Sequence, residues 1–370
     1  MTTGTSPTRL GRATAAALAV TLLSQLGVAR PADAADVWVL RATFEEAAAQ
    51  PTAKGQTIDE LAVFDGRIWP GFGDWGANTG PIASRPFVLA TGQLEDRSYT
   101  SPSHAIETFR VFGDEMWAPD TDPLGDGAAA LDPTGGIVEV SEGTWEHRVI
   151  GPSYHLFDVA RTDDDTLYVA GSTALSGTAK AAIWRSTDHG ETWEVLRTSK
   201  NPRISLTPRF VWIAAIGDVV YSQYGRKASD PKVFMLRYQD GQFTTPLASP
   251  FCSTGGQDGA DLEVFKGHLV CGGTDAVTVY DPAANTVRRP SLKVSGHDVA
   301  TVLDLYTDGD TIWALGSYWA NAAWHKAILA STDGSTWTVA TTTFVQARSV
   351  AYADGALWVG TVGSRLYVEA

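Results

Sequence analysis

The chain has few cations, little sulfur and almost nothing that reads as helix. Of 370 residues, 28 are Lys or Arg against 42 Asp or Glu, a formal charge of −14. That shortage of positive charge excludes a surface built as a whole for nucleic acid, while leaving room for a local basic pocket that takes an anionic sugar. The only cysteines are Cys252 and Cys271. With no histidines at ligand spacing, two thiolates cannot complete a tetrahedral zinc site, so no metal ligands are assigned from sequence. In an oxidising compartment the pair predicts a disulfide, the alternative being Cys271 as a small buried strand residue. Charged residues make up 19% and aromatics 10%, which suits an all-β chain with a large core and argues against disorder.

Long apolar runs are equally scarce. The one candidate, Ala13 to Ala29, follows Arg9 and Arg12, is interrupted by Thr21, Ser24 and Gln25, and ends in Ala32-Asp33-Ala34-Ala35. This predicts a secretory signal peptide over 1–35 rather than a membrane span, leaving one domain over 36–370. The protein is therefore expected to be secreted, extracellular and monomeric. Removing the leader takes away three arginines and one aspartate, so 25 basic residues face 41 acidic ones.

What the chain does have is a strand-turn-strand pattern repeated seven times. Its turns fall at Asp65-Gly66, Gly113-Asp114, Asp163-Asp164-Asp165, Gly217-Asp218, Lys266-Gly267, Asp308-Gly309-Asp310 and Asp354-Gly355. Three or four residues later comes a large side chain: Trp69, Trp117, Tyr168, Tyr221, Val270, Trp313 and Trp358. A period of roughly 48 residues, made of short strands with a second outer hairpin in each unit, predicts a seven-bladed β-propeller of four-stranded blades. The last unit lacks its outer hairpin, and the segment Val37 to Arg41 is a spare strand. Pairing the two termini would close the ring and remove exposed sheet edges. A short helix is expected at Glu45 to Ala49.

Ser186-Thr187-Asp188-His189-Gly190-Glu191-Thr192-Trp193 carries serine, aspartate, glycine and tryptophan at the spacing of the Asp-box, and Ser331 to Trp337 is a copy one residue shorter. Ser141-Glu142-Gly143-Thr144-Trp145 is a decayed third. The chain resembles the sialidase-like, Asp-box (BNR repeat) propellers, and the resemblance implies that fold. The sialidase site is not matched: the early strand reads Trp38-Val39-Leu40-Arg41-Ala42-Thr43, without the Phe-Arg-Ile-Pro type motif, and Arg209 and Arg348 find no third arginine. Within the turns, aspartate accepts backbone N–H bonds and tryptophan packs between outer strands, a structural task.

In such a ring the residues before each inner strand and after its partner meet at one mouth, and the inner hairpin turns lie at the other. The first mouth collects the unusual residues. Gly71-Phe72-Gly73-Asp74-Trp75-Gly76-Ala77-Asn78 forms a glycine-rich loop with a carboxylate beside an aromatic. Around it fall Glu107, Asp122, His155, Asp158, Arg209, Tyr224, Arg226, Asp258, His297, Trp319 and Arg348. Carboxylates, aromatic platforms and arginines around a concave mouth suit extracellular carbohydrate. The first expectation is a glycoside hydrolase using paired carboxylates, Asp74 with Glu107 and Asp122 nearby. A second is a polysaccharide lyase, with His155 or a tyrosine as base and an arginine on the uronate carboxylate. A third is a ring that binds glycan or protein without catalysis. No cofactor is expected. Calcium on Asp120, Asp122, Asp258 and Asp261 is the one ion that oxygen-rich loops would suit.

Overall fold

In a computed structural model, the chain is described over residues 38–124, 135–141, 143–173, 180–199, 208–225, 235–247, 251–252, 261–274 and 277–370. The leader expected over 1–35 lies outside these residues, as do Arg226 and Asp258. The protein is a seven-bladed β-propeller. Its innermost strands are Glu60–Phe64, Arg110–Phe112, His155–Arg161, Arg209–Ile216, Leu262–Phe265, His297–Thr307 and Ala347–Ala353, one for each of blades 1 to 7. All seven expected inner turns join the first strand of a blade to its second. Asp65, Lys266 and Asp354 occupy the left-handed region there, each followed by glycine, which is what a two-residue hairpin turn requires.

The recurring large side chain has one job, wedging each blade against the next. Trp69 of blade 1 packs on Tyr99 (5.3 Å) and on Trp145 of blade 2 (5.8 Å). Tyr168 meets Tyr238 of blade 4, Tyr221 meets Tyr280 of blade 5, and Trp313 stacks at 4.5 Å on Tyr352 of blade 7. Trp358 reaches Phe87 of blade 1 at 5.5 Å. Where the repeat substitutes Val270, the seam is aliphatic, with Val302 and Leu305 of blade 6. All seven side chains are buried. Each aromatic pair adds about 0.5–1.5 kcal/mol beyond the area it covers.

Closure is as expected. Trp38–Thr43 pairs antiparallel with Arg365–Glu369, supplying the outer strand of blade 7. Three features were not anticipated in this form. A two-stranded ladder of Ile82–Ser84 with Tyr99–Ser101 sits between blades 1 and 2. Blade 6 gains a fifth strand, Lys293–Val294. Blade 6 also extends its second and third strands, Ile312–Ala320 and Ala323–Ser331, to nine residues each. The expected short helix is Glu45–Ala48. Cys252 and Cys271 form the disulfide, with Cα atoms 5.8 Å apart.

Candidate functional site

The mouth opposite the inner turns is built from the leading segments of blades 2 to 4 and the loop that leaves blade 1. That loop is held tight rather than loose. A Cβ on Gly73 would lie 2.5 Å from the His104 carbonyl oxygen, and one on Gly80 would lie 2.1 Å from that of Ser103. The glycines therefore permit close backbone approach to blade 2, and the Gly80 N–H donates to His104 Nδ1 at 2.9 Å. Asp74 caps the 3-10 turn Trp75–Ala77: its Oδ1 accepts from the Ala77 N–H and its Oδ2 from Thr52 Oγ1 at 2.8 Å. Asn78 ends that turn in the left-handed region, exposed.

Beside this cap lies a contiguous polar and aromatic cluster. His155 Nδ1 is 3.0 Å from Asp122 Oδ1 and 3.1 Å from the Thr121 carbonyl, two acceptors that place a proton on Nδ1 and fix the ring's orientation. Tyr154, Phe157 and Trp75 surround the imidazole at centroid distances of 4.3, 5.8 and 6.4 Å. The Trp75 indole N–H is buried without an acceptor among the described residues. Lys54, from the loop before blade 1, lies 5.1 Å over the Trp75 ring and 3.5 Å from Glu107. Arg209 rests on the Phe157 ring at 5.0 Å. Burial pushes its guanidinium below the ordinary value, opposed by the charge of Glu107 and by Tyr154 and Asp122. Among the described residues no carboxylate stands within ion-pair distance of it, so its charge is uncompensated by direct contact.

The structure thus brings Asp74, Trp75, Glu107, Asp122, His155 and Arg209 to one place and disperses the others. Asp158 is turned into the ring's central channel. Tyr224 is a core residue beside Phe210, and burial raises its hydroxyl to about 12. On blade 6, His297, Tyr318 and His325 stack in series at 6.3 and 5.5 Å, and beyond them Trp319 and Trp324 form an exposed pair at the hairpin tip. Arg348 sits by Lys326, whose ammonium is pushed down to about 8 by burial first and by the Arg348 charge second. Asp120 is occupied by Ser101, the Gly136 N–H and His147, which leaves it little to offer calcium.

Sequence reasoning missed Lys54 and, among the charges of the channel, Glu60, Arg110, Glu263 and Asp304. A cavity of about 620 Å³ there is lined by Glu60, Arg110, Glu263 and Tyr306 among others. Asp158 accepts from Arg110 Nε at 2.8 Å and Nη2 at 3.3 Å, and Arg110 Nη1 donates to Glu263 at 3.1 Å. Asp158 also accepts from the Ile213 N–H of blade 4, and Asp304 from the Val350 N–H of blade 7, so these carboxylates staple neighbouring inner strands. Burial raises Glu60, Asp261 and Asp304 well above the carboxylate range, and brings Glu263 to about 7 despite Arg110.

A raised acid has a definite consequence for stability. As pH climbs from about 4.5, an ordinary glutamate in the unfolded chain gives up a proton that folded Glu263 keeps until about 7. Stability is full below that window and is lost across it, by a few kcal/mol at most. Glu263→Gln is therefore expected to raise the thermal midpoint at pH 8 by a few degrees and to leave it unchanged at pH 4.5. An equal shift at both values would refute the assignment.

No family model matches the chain, and no curated protein matches it. Among solved structures it is similar to a GH74 xyloglucanase from Xanthomonas campestris, with TM-score 0.54, 11% identity, and coverage of 90% of this chain and 53% of that one. It is also similar to PorZ of the type-IX secretion system of Porphyromonas gingivalis, with TM-score 0.53, 13% identity, and coverage of 85% and 46%. Virginiamycin B lyase from Staphylococcus aureus gives TM-score 0.51, 12% identity, and coverage of 86% and 95%. The chain spans about half the length of the first two. All are β-propellers, and at these identities the likeness establishes the fold alone. Among the described residues no helix is long and apolar enough to cross a membrane.

Proposed function

We propose that this is a secreted enzyme that cleaves an acidic glycan at the His155 mouth by β-elimination. The observation that carries the reading is the Asp122–His155 pair beside Arg209, a half-buried cation with no carboxylate in contact among the described residues. A uronate carboxylate placed on Arg209 would be neutralised, which acidifies the adjacent C5–H. His155 Nε2, its other nitrogen fixed by Asp122 and Thr121, takes that proton. The C4–O4 bond breaks as the C4=C5 double bond forms, and the departing oxygen takes a proton from Tyr154 or solvent. Trp75 offers a ring face, and the Trp319–Trp324 pair offers a second platform further along the same face for a longer chain.

The paired-carboxylate hydrolase has less support, because Asp74 is committed to its cap and to Thr52 while Glu107 carries Lys54. The neighbours include an enzyme acting on xyloglucan and a lyase, so both reaction classes occur on this architecture and neither is favoured by fold. Incubation of the protein with neutral and uronic polysaccharides decides the matter. New reducing ends together with ultraviolet absorbance of an unsaturated uronate are expected on the uronic polymers alone. Reducing ends without absorbance would replace elimination by hydrolysis, and neither signal would leave a binding ring.

A further inference from the structure

Far from the His155 mouth, at the turn-bearing face, blades 2 and 3 converge three ligand atoms. Glu115 opens the second strand of blade 2, Glu139 lies on its third, and His189 is in the outer turn of blade 3. His189 Nε2 is 3.3 Å from Glu115 Oε1 and 3.5 Å from Glu139 Oε1, and the three atoms lie within 4.8 Å of one another. Ligands about 2.1 Å from a tetrahedral zinc ion stand about 3.4 Å apart, so the two histidine spacings are those of a zinc coordination edge. We propose that Glu115, Glu139 and His189 bind a divalent transition-metal ion, zinc by preference, that clamps blade 2 to blade 3.

The surroundings are arranged as around a metal. The far oxygen of each carboxylate is already held: Glu115 Oε2 by Trp117 Nε1 at 3.1 Å and Arg161 at 3.2 Å, Glu139 Oε2 by Arg148 at 2.6 Å. The near oxygens are thereby aimed at His189, as outer hydrogen bonds aim ligands elsewhere. Ser141 Oγ also donates to Glu139 Oε1 at 3.1 Å, and a carboxylate oxygen has a second lone pair for an ion. Glu139 is 7% exposed and Glu115 14%, whereas His189 is 43% exposed, which leaves an open side for water as fourth ligand. Charge points the same way. Arg148 and Arg161 are shared among five carboxylates, Glu139, Glu146, Glu191, Glu115 and Asp165.

His189 fills the variable position between Asp188 and Gly190 of the full-length turn, a position that the shorter turn of blade 6 lacks, since there Asp333 is followed directly by Gly334. It sits at φ 60°, a region most side chains avoid, with its ring edge-on to Trp117 at 5.6 Å.

The test uses the whole protein, stripped with chelator and titrated with zinc alone. One zinc per chain by elemental analysis is expected, with a rise in thermal midpoint on loading. His189→Asn keeps a residue that tolerates the left-handed turn, and should weaken zinc binding on the order of 100-fold or more and abolish the rise while leaving the metal-free midpoint near that of the parent. Cobalt in place of zinc should give the visible bands of a tetrahedral site in the parent and not in the variant. Glu139→Gln is the second probe. The proposal is overturned if the parent binds no zinc, or if His189→Asn and Glu139→Gln bind it as the parent does. A metal-free midpoint that falls with His189→Asn, with no zinc bound by the parent, would assign His189 instead to a direct contact that bridges the two glutamates.

Discussion

Replacing Arg110 by methionine is expected to destabilise the protein by about 3–5 kcal/mol at pH 8, as breaking a buried ion pair from one side does. The volume is nearly conserved, so packing is not the cause. Arg110 is the cation shared by Asp158 and Glu263, and its charge also acts on Glu60 and Asp261. Without it these carboxylates are left in a channel where burial already opposes ionisation. The folded variant then holds its protons to higher pH, so its stability falls more steeply than the parent's between pH 5 and pH 8. Thermal melts of parent and variant at the two pH values measure the difference. Adding Glu263→Gln to Arg110→Met should recover part of the loss, because one of the stranded charges is removed. A variant as stable as the parent at pH 8 would show that the channel carboxylates are neutral or hydrated without Arg110.

The contrast between Arg110 and the ring's turns shows what a strand repeat makes legible. The turns, the wedge aromatics and the closing strand are local or periodic: Asp-Gly pairs need left-handed backbone, and Trp69, Trp313 and Trp358 return at the same offset because every seam needs the same wedge. Arg110 and Glu263 stand opposite the wedge residue of their blades, and Glu60 and Asp304 two residues before that position, so the places recur while the charge at them changes. Their partnership exists only once the ring has closed. Arg110 and Glu263 are 153 positions apart in the chain. The same holds at the mouth. Glu107, Asp122 and His155 could be assigned to one face by topology, but Lys54 arrives from a loop that no repeat describes. Asp74 stood out because its loop is rich in glycine, and those glycines serve close packing against blade 2 while the carboxylate caps the turn after it. Asp158 was read as a ligand of the mouth; a register shift between Leu156 and Asp158 turns it inward to Arg110 and the Ile213 N–H.

His155→Ala is expected to abolish turnover of the uronic glycan, with a loss of about 10²–10⁴-fold in kcat, the range a positioned general base supplies. Binding should survive, because the anionic group rests on Arg209 and the sugar ring on Trp75. Arg209→Met should show the opposite division: KM rises steeply for uronic substrates and kcat falls as well, since the carboxylate is anchored in the ground state and neutralised as the carbanion develops. Asp122→Asn tests the partner that orients the base. It touches no substrate, so KM should stay near that of the parent while kcat falls, because the carboxylate that holds the imidazole Nδ1–H is gone. Melting curves of all three variants separate these effects from misfolding. If His155→Ala turns over acidic glycan as fast as the parent, the base lies elsewhere on the face. Glu107 would then be the next candidate, since its charge, like that of Asp122, acts on Arg209 and it lies beside the same Trp75 platform through Lys54. A purely structural His155 predicts instead that kcat and KM hold while the melting temperature drops, a pattern that a catalytic base cannot produce.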